Sequence, residues 1–139
     1  SPMQWDDSTN AGFSSAPASS LYIAMDPDKD RPTAKKEMAD PNSLYNEVKK
    51  LIQIRQSHKA LQSRGKITFV YAEKDAYPLA YIREEGDEKI LVIINAAAEA
   101  KTFACDAEPK EAIYDFGAAA EAKNGKITVP AQSAGFYRI

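Results

Sequence analysis

The chain has one cysteine, one histidine and one tryptophan in 139 residues. A lone Cys105 excludes an internal disulfide and a cysteine-rich metal site. It fits a reducing compartment such as the cytoplasm. No apolar run approaches the roughly 18–20 residues of a membrane-spanning helix, and no signal-peptide pattern is visible. Basic residues are not in excess: 18 Lys and Arg stand against 20 Asp and Glu, for a net charge of −2. The doublets Lys35-Lys36 and Lys49-Lys50 read as solvated faces and make no basic stripe. Neither nucleic acid nor a membrane is therefore an expected partner. There is no internal repeat. What remains is ordinary globular material, 44% hydrophobic and 27% charged, enough for one modest core.

Three zones differ in texture. Residues 1–39 are rich in Ser, Pro, Asp, Asn and Ala, with turn signals at Asn10-Ala11-Gly12 and Asp26-Pro27-Asp28. They read as a long loop with at most a short turn of helix. A loop of that length in a compact domain is usually functional. Residues 40–62 read as a helix, with Asp40 as its cap and Pro41 in the first helical position. Leu44, Val48, Leu51 and Ile52 make its apolar stripe. Arg55, His58 and Lys59 sit near its negative end, and Gly65 breaks the pattern.

From Lys66 the period changes to that of strands. Ile67, Phe69 and Tyr71 alternate with polar neighbours, and Leu79 to Ile82 follow the Tyr77-Pro78 turn. After Gly86-Asp87, the run Ile90 to Ile94 is apolar at consecutive positions, so both faces of that strand should be covered. Further strands are expected over 102–105, 111–116, 119–123, 126–129 and 135–139. Asn124-Gly125 is a hairpin turn signal between two of them. Short strands joined by turns predict an antiparallel sandwich.

The opening, Ser-Pro-Met-Gln-Trp followed by Asn10-Ala11-Gly12-Phe13, resembles a loop of the α-glucosidase branch of glycoside hydrolase family 13. Leu51-Ile52-Gln53-Ile54-Arg55, with His58 and Ala60-Leu61, is similar to that family's final barrel helix, although Lys59 replaces a usual proline. Ile90 to Asn95 and Ile127-Thr128-Val129-Pro130 resemble strands of its C-terminal domain. The resemblance implies a mainly β fold: a Greek-key β-sandwich over 65–139, preceded by a remnant of a (β/α)8 barrel over 1–64 (loop 1–39, helix 40–62). A whole barrel needs about 250 residues, so the chain is expected to be the back portion of a larger enzyme. The missing barrel is the expected partner, and it, the chain's own sheet or a second copy would cover the stripe of the 40–62 helix.

Retaining glycosidases place two carboxyl groups about 5–5.5 Å apart. The resemblance puts the family's catalytic carboxylates on strands that would precede residue 1, so no catalytic residue is expected here, nor any cofactor. Adjacent Asp6 and Asp7 point apart in an extended loop and suit turn formation better than paired acid–base work. Gln4 and Trp5 are the candidate substrate contacts, at the mouth of the parent active site. Trp5 either stacks on a sugar or, the favoured reading, anchors the loop by burial. Asp26, Asp28 and Asp30 lack the glycine and distal glutamate of a calcium loop, so they suit a polar turn and no metal is expected. His58 has no partner at a recognisable sequence spacing and suits helix-end packing. Tyr71, Tyr77, Tyr81, Tyr114 and Tyr137 suit strand packing better than a sugar-binding strip, and Cys105 suits packing as a small apolar group. The expected role is a non-catalytic, structural portion of an enzyme acting on α-linked glucose. The alternative is a stand-alone carbohydrate-binding module.

Overall fold

A computed structural model describes residues 2–139. The chain folds as two compact units, Ser1–Gln53 and Ile54–Ile139.

The second unit is an antiparallel β-sandwich. Its strands are β1 (Lys66–Tyr71), β2 (Leu79–Glu85), β3 (Glu88–Asn95), β4 (Lys101–Ala104), β5 (Glu111–Phe116), β6 (Glu121–Lys123), β7 (Lys126–Val129) and β8 (Ser133–Arg138). The larger sheet has the order β1-β2-β3-β8-β5 and the smaller one β4-β7-β6. The chain leaves the large sheet after β3, returns for β5, leaves again for β6 and β7, and comes back as β8 between β3 and β5. These crossings make the Greek-key pattern. Asn124 and Gly125 close the β6–β7 hairpin, both with positive φ, as the turn signal requires.

β3 sits at the centre, and its consecutive apolar residues divide between two cores. Leu91 and Ile93, with Ala80 and Tyr137, meet Phe103, Cys105, Ile127 and Val129 across the sandwich. Ile90 and Val92 face the other way and bury Ala60, from the 3-10 turn Lys59–Leu61. Each fully buried Leu, Ile or Val contributes about 1.5–3 kcal/mol, so β3 alone is a large share of the unit's stability. Cys105 packs as a small apolar group, as expected.

The end of β3 is tied by Asn95, which is 1% exposed. Its Nδ2 donates to the carbonyls of Val129 at 3.1 Å, Pro130 at 2.8 Å and Glu99 at 2.9 Å. Its Oδ1 accepts from Ala97 N at 3.1 Å. The carboxamide thereby ties the large sheet to the end of β7 in the small one. Behind it, Tyr137 lies back over Gly135, where a Cβ would stand 2.2 Å from the phenol oxygen. That phenol donates to Asp115 and accepts from Ala120 N at 3.1 Å.

In the first unit, α1 (Ala34–Ala39) lies inside what reads as loop, and α2 (Leu44–Ser57) is shorter than the 40–62 helix expected. Asp40 is not the cap. It precedes Pro41, which drives it to an extended conformation, φ −89° and ψ 112°, and its carboxylate accepts from Asn42 N at 2.8 Å in a turn. Ser43 takes the capping role, its hydroxyl accepting from Asn46 N at 3.2 Å and donating to Glu37 O at 2.6 Å. At the other end α2 stops because His58 turns extended, φ −119°. Leu44, Val48 and Ile52 are 75%, 45% and 52% exposed, so the apolar stripe is left open. No helix among the described residues is long and apolar enough to cross a membrane.

Asn95→Ala should cost about 2–4 kcal/mol, because it strands buried backbone groups on both sheets; a denaturant midpoint unchanged from wild type would refute the tie. Burial, with Asp115 beside it, pushes the Tyr137 phenol up to about 12. Its folded value lies above the ordinary tyrosine value of about 10. The stability from this network is therefore complete below that ordinary value and lost as pH rises toward about 12. In an alkaline ultraviolet titration, one of the seven tyrosines should ionise last, together with unfolding.

Candidate functional site

The opening segment is built from backbone outward. α1 begins at Thr33, whose buried side chain accepts from Lys36 N at 3.3 Å. The first N–H groups of a helix have no partner inside it. Here the loop supplies two: Ala34 N donates to Gln4 O and Lys35 N to Trp5 O, both at 2.9 Å. Residues 4 and 5 are thus held extended across the start of α1.

The loop then folds back on itself. Trp5 N and Asp6 N both donate to Ala11 O, at 2.8 and 3.2 Å. Reaching that carbonyl takes three consecutive left-handed residues, Asn10, Ala11 and Gly12, with φ of 49°, 53° and 72°. Asparagine adopts that region more readily than most residues, and its Nδ2 locks the bend by donating to Ser14 O at 2.9 Å and Ala16 O at 2.7 Å. Gly12 is required for space as well: a Cβ there would stand 2.9 Å from Asp6 Oδ1 and 3.2 Å from Trp5 Cβ. Asp6 turns inward on Ser8, accepting from its hydroxyl and its N–H. These hydrogen bonds hold its carboxyl below the usual carboxylate range. Asp7 points away to Lys36 Nζ at 3.0 Å. The two carboxylates are therefore separately engaged, as their adjacency implies.

This frame presents Gln4 and Trp5 beside an open apolar hollow of about 510 Å³, which Pro32, Met38 and Tyr45 also line. Trp5 is 50% exposed, although its backbone N–H and carbonyl are both hydrogen-bonded. Gln4 Oε1 is buried and has no hydrogen-bond partner. Sequence reading allows a short turn of helix in this stretch but does not place it, and so misses Met38. A signal was present: Ala34-Lys35-Lys36-Glu37-Met38-Ala39 is an unbroken run of strong helix formers behind a capping threonine.

The other candidates fall apart spatially or resolve into structure. Asp26 and Asp28 accept backbone N–H groups two residues on, at 3.0 and 2.9 Å, in successive polar turns. Among the described residues no group of His, Cys, Asp or Glu could hold a metal. Tyr114 and Tyr137 are buried, and Tyr77 is exposed. Phe69 and Tyr81 meet edge-on with rings at 66°, which is not a flat platform for a sugar. His58 differs from expectation. It does have a carboxylate partner: its Nδ1 lies 2.6 Å from Glu88 Oε1, thirty residues away in sequence.

Residues 1–64 match a family model described as "Alpha amylase, catalytic domain". The glucan 1,6-α-glucosidase of Streptococcus pneumoniae is 30% identical over 129 residues, 93% of this chain and 23% of that protein. The oligo-1,6-glucosidase of Parageobacillus thermoglucosidasius is 37% identical over 102 residues, 73% of this chain and 17% of that protein. A crystal structure of a trehalulose synthase MutB variant superposes with a TM-score of 0.81 at 30% identity, covering 99% of this chain and 25% of that one. The MutB structure from Pseudomonas mesoacidophila gives 0.78 at 29% identity, covering 97% of this chain and 24% of that one.

The chain belongs to the α-amylase family of glycoside hydrolases, glycoside hydrolase family 13.

It spans about a quarter or less of the length of these relatives. Within the family, the Gln4-Trp5 loop lies in the part matched by the catalytic-domain model, and β1 begins just after that match ends.

Gly12→Ala should destabilise the first unit by about 1–2 kcal/mol, the cost of a left-handed non-glycine residue, with further displacement of Asp6 and Trp5. Since Trp5 is the sole tryptophan, its emission reports the loop directly; an unaltered spectrum and midpoint would refute the close approach.

Proposed function

We propose that residues 1–64 are the closing part of a (β/α)8 catalytic barrel and residues 65–139 its C-terminal sandwich. The working enzyme would hydrolyse or transfer α-linked glucose by a retaining mechanism. The portion in this chain is structural and carries no catalytic carboxylate. Gln4 and Trp5 lie at the mouth of the active site, where barrel enzymes gather their substrate contacts. One observation carries this reading above the others. The first unit holds a well-tied loop and two capped helices, yet it leaves an apolar surface uncovered. Trp5, Met38, Tyr45 and Ile52 are each 42–53% exposed. Isolated surface apolar residues are normal, but a run of them on one small unit marks an interface. The rest of a catalytic domain of the kind the relatives have is the cover proposed here.

A carbohydrate-binding module fits less well. It needs exposed coplanar aromatics, and the sandwich offers the edge-on pair Phe69 and Tyr81 instead.

The test is a chimera. Replacing the matching C-terminal part of the Parageobacillus oligo-1,6-glucosidase with this chain should retain turnover of an α-1,6-linked glucose disaccharide. Ile52→Asp in that chimera should abolish folding of the whole. Gln4→Ala should raise KM by roughly tenfold, as expected for one lost polar contact to substrate. The chain alone should not turn over any α-glucoside. A folded chimera without activity, or turnover by the chain alone, overturns the proposal.

A further inference from the structure

The segment between α2 and β1, His58 to Gly65, holds only the 3-10 turn Lys59–Leu61 but is fastened at both ends to the large sheet. At the far end, Arg83 Nη2 of β2 donates to Gln62 O at 2.6 Å and Gly65 O at 3.0 Å. At Gly65 a Cβ would stand 2.1 Å from Ala60 O, so the segment is folded tightly under itself. At the near end a carboxylate of the sheet reaches the strap. Glu88, the first residue of β3, places Oε1 2.6 Å from His58 Nδ1 and accepts from Ala60 N on Oε2 at 2.9 Å. The His58 and Glu88 side chains are 14% and 18% exposed. Ala60, between them and the sheet, is fully buried against Ile90 and Val92.

We propose that Glu88 is an acid-released clamp: its carboxylate holds the near end of the His58–Gly65 strap to the sheet through His58 and Ala60, and protonation loosens that end while the sheet stays folded.

The charges around Glu88 set the sense of the switch. From β8, Arg138 Nη1 stands 3.9 Å from Glu88 Oε1, and its Nε is engaged at 3.2 Å by Glu111 of β5. From β2, Glu85 is the register partner of Glu88, a like charge across the hairpin. From the strap comes His58. Burial pushes the Glu88 carboxyl up, but the Ala60 N–H, His58 and Arg138 outweigh it and hold the carboxyl below the ordinary range. A depressed folded value means the clamp is complete above the ordinary glutamate value of about 4.3 and is lost as pH falls through the folded one. A protonated Glu88 loses its charge-assisted bonds to both His58 and the Ala60 amide. The sheet keeps its own ladder and the core around Leu91 and Ile93, which contains no strap residue, so it need not follow.

Amide hydrogen exchange on the full chain tests this, with each rate taken relative to its unstructured rate at the same pH. Between pH 7 and about 3.5, the protection of Ala60 should fall roughly tenfold while Leu91 and Val92 hold theirs. Glu88→Gln should show the lowered Ala60 protection already at pH 7 and no further fall in acid. His58→Gln should lose part of it, and the double variant no more than Glu88→Gln alone. Glu88→Asp, which shortens the reach, serves the same comparison should Glu88→Gln not fold. An Ala60 protection in wild type that ignores acid, or an acid-dependent fall that survives the removal of Glu88, overturns the clamp.

Discussion

The fold is organised by a strand that is apolar on both faces. β3 places Leu91 and Ile93 on one side and Ile90 and Val92 on the other, all essentially without exposure. Such a strand cannot sit at an edge or carry a wet face. It demands a second sheet on one side, which β4, β6 and β7 provide. It demands a cover on the other, which begins with Ala60. The tight packing of Gly65 against Ala60, the Greek-key crossings and the tie at Asn95 all serve to bring those covers to β3. Asn95 is where the strand runs out of apolar residues, and its carboxamide joins the sheets with the donor and acceptor groups that the two chain ends leave open.

The two units differ in how completely they satisfy themselves. The sandwich buries its strongest apolar strand, seats its cysteine in the core and engages the buried Tyr137 and Asn95. The first unit has equally careful local structure: a loop whose carbonyls complete the start of α1, and a serine that links α1 to α2. Its tertiary burial is incomplete, since Leu44, Val48 and Ile52 are exposed beside Trp5 and Met38. Local hydrogen bonding of this quality does not evolve to display a hydrophobic surface to water. Under the function proposed above, that surface would be the inside of a larger domain.

Much of this was legible in the residues. Consecutive apolar positions in β3 and the Asn124-Gly125 turn each have a direct steric cause that acts over a few residues; β1 forms where its alternation places a strand, but Ile67 and Phe69 are exposed and Val70 and Tyr71 meet the core instead. The opening motif was also legible, and its order has a physical basis: Gly12 is where it is because Trp5 and Asp6 pass beneath it. The start of α2 was misread because Asp40-Pro41 satisfies two rules at once. It suits a cap and first helical turn, but proline also forces its predecessor out of the helical region, and the second effect prevailed. α1 was not placed because its neighbourhood is rich in turn formers, which outweighed six good helix formers.

By itself the sequence determined the elements that depend on neighbours along the chain: the apolar run of β3, the Asn124-Gly125 hairpin turn, a turn at Asn10 to Gly12 and membership of the family. Only the tertiary structure decided which distant groups meet. His58 acquires Glu88, Tyr137 acquires Asp115, and Asn95 acquires the end of β7 because the sheet order sets β8 beside β3 and lays β7 across them. No spacing rule encodes those pairs. Hydrogen bonds and ion pairs act over a few ångströms of space, and folding, not chain order, sets that distance.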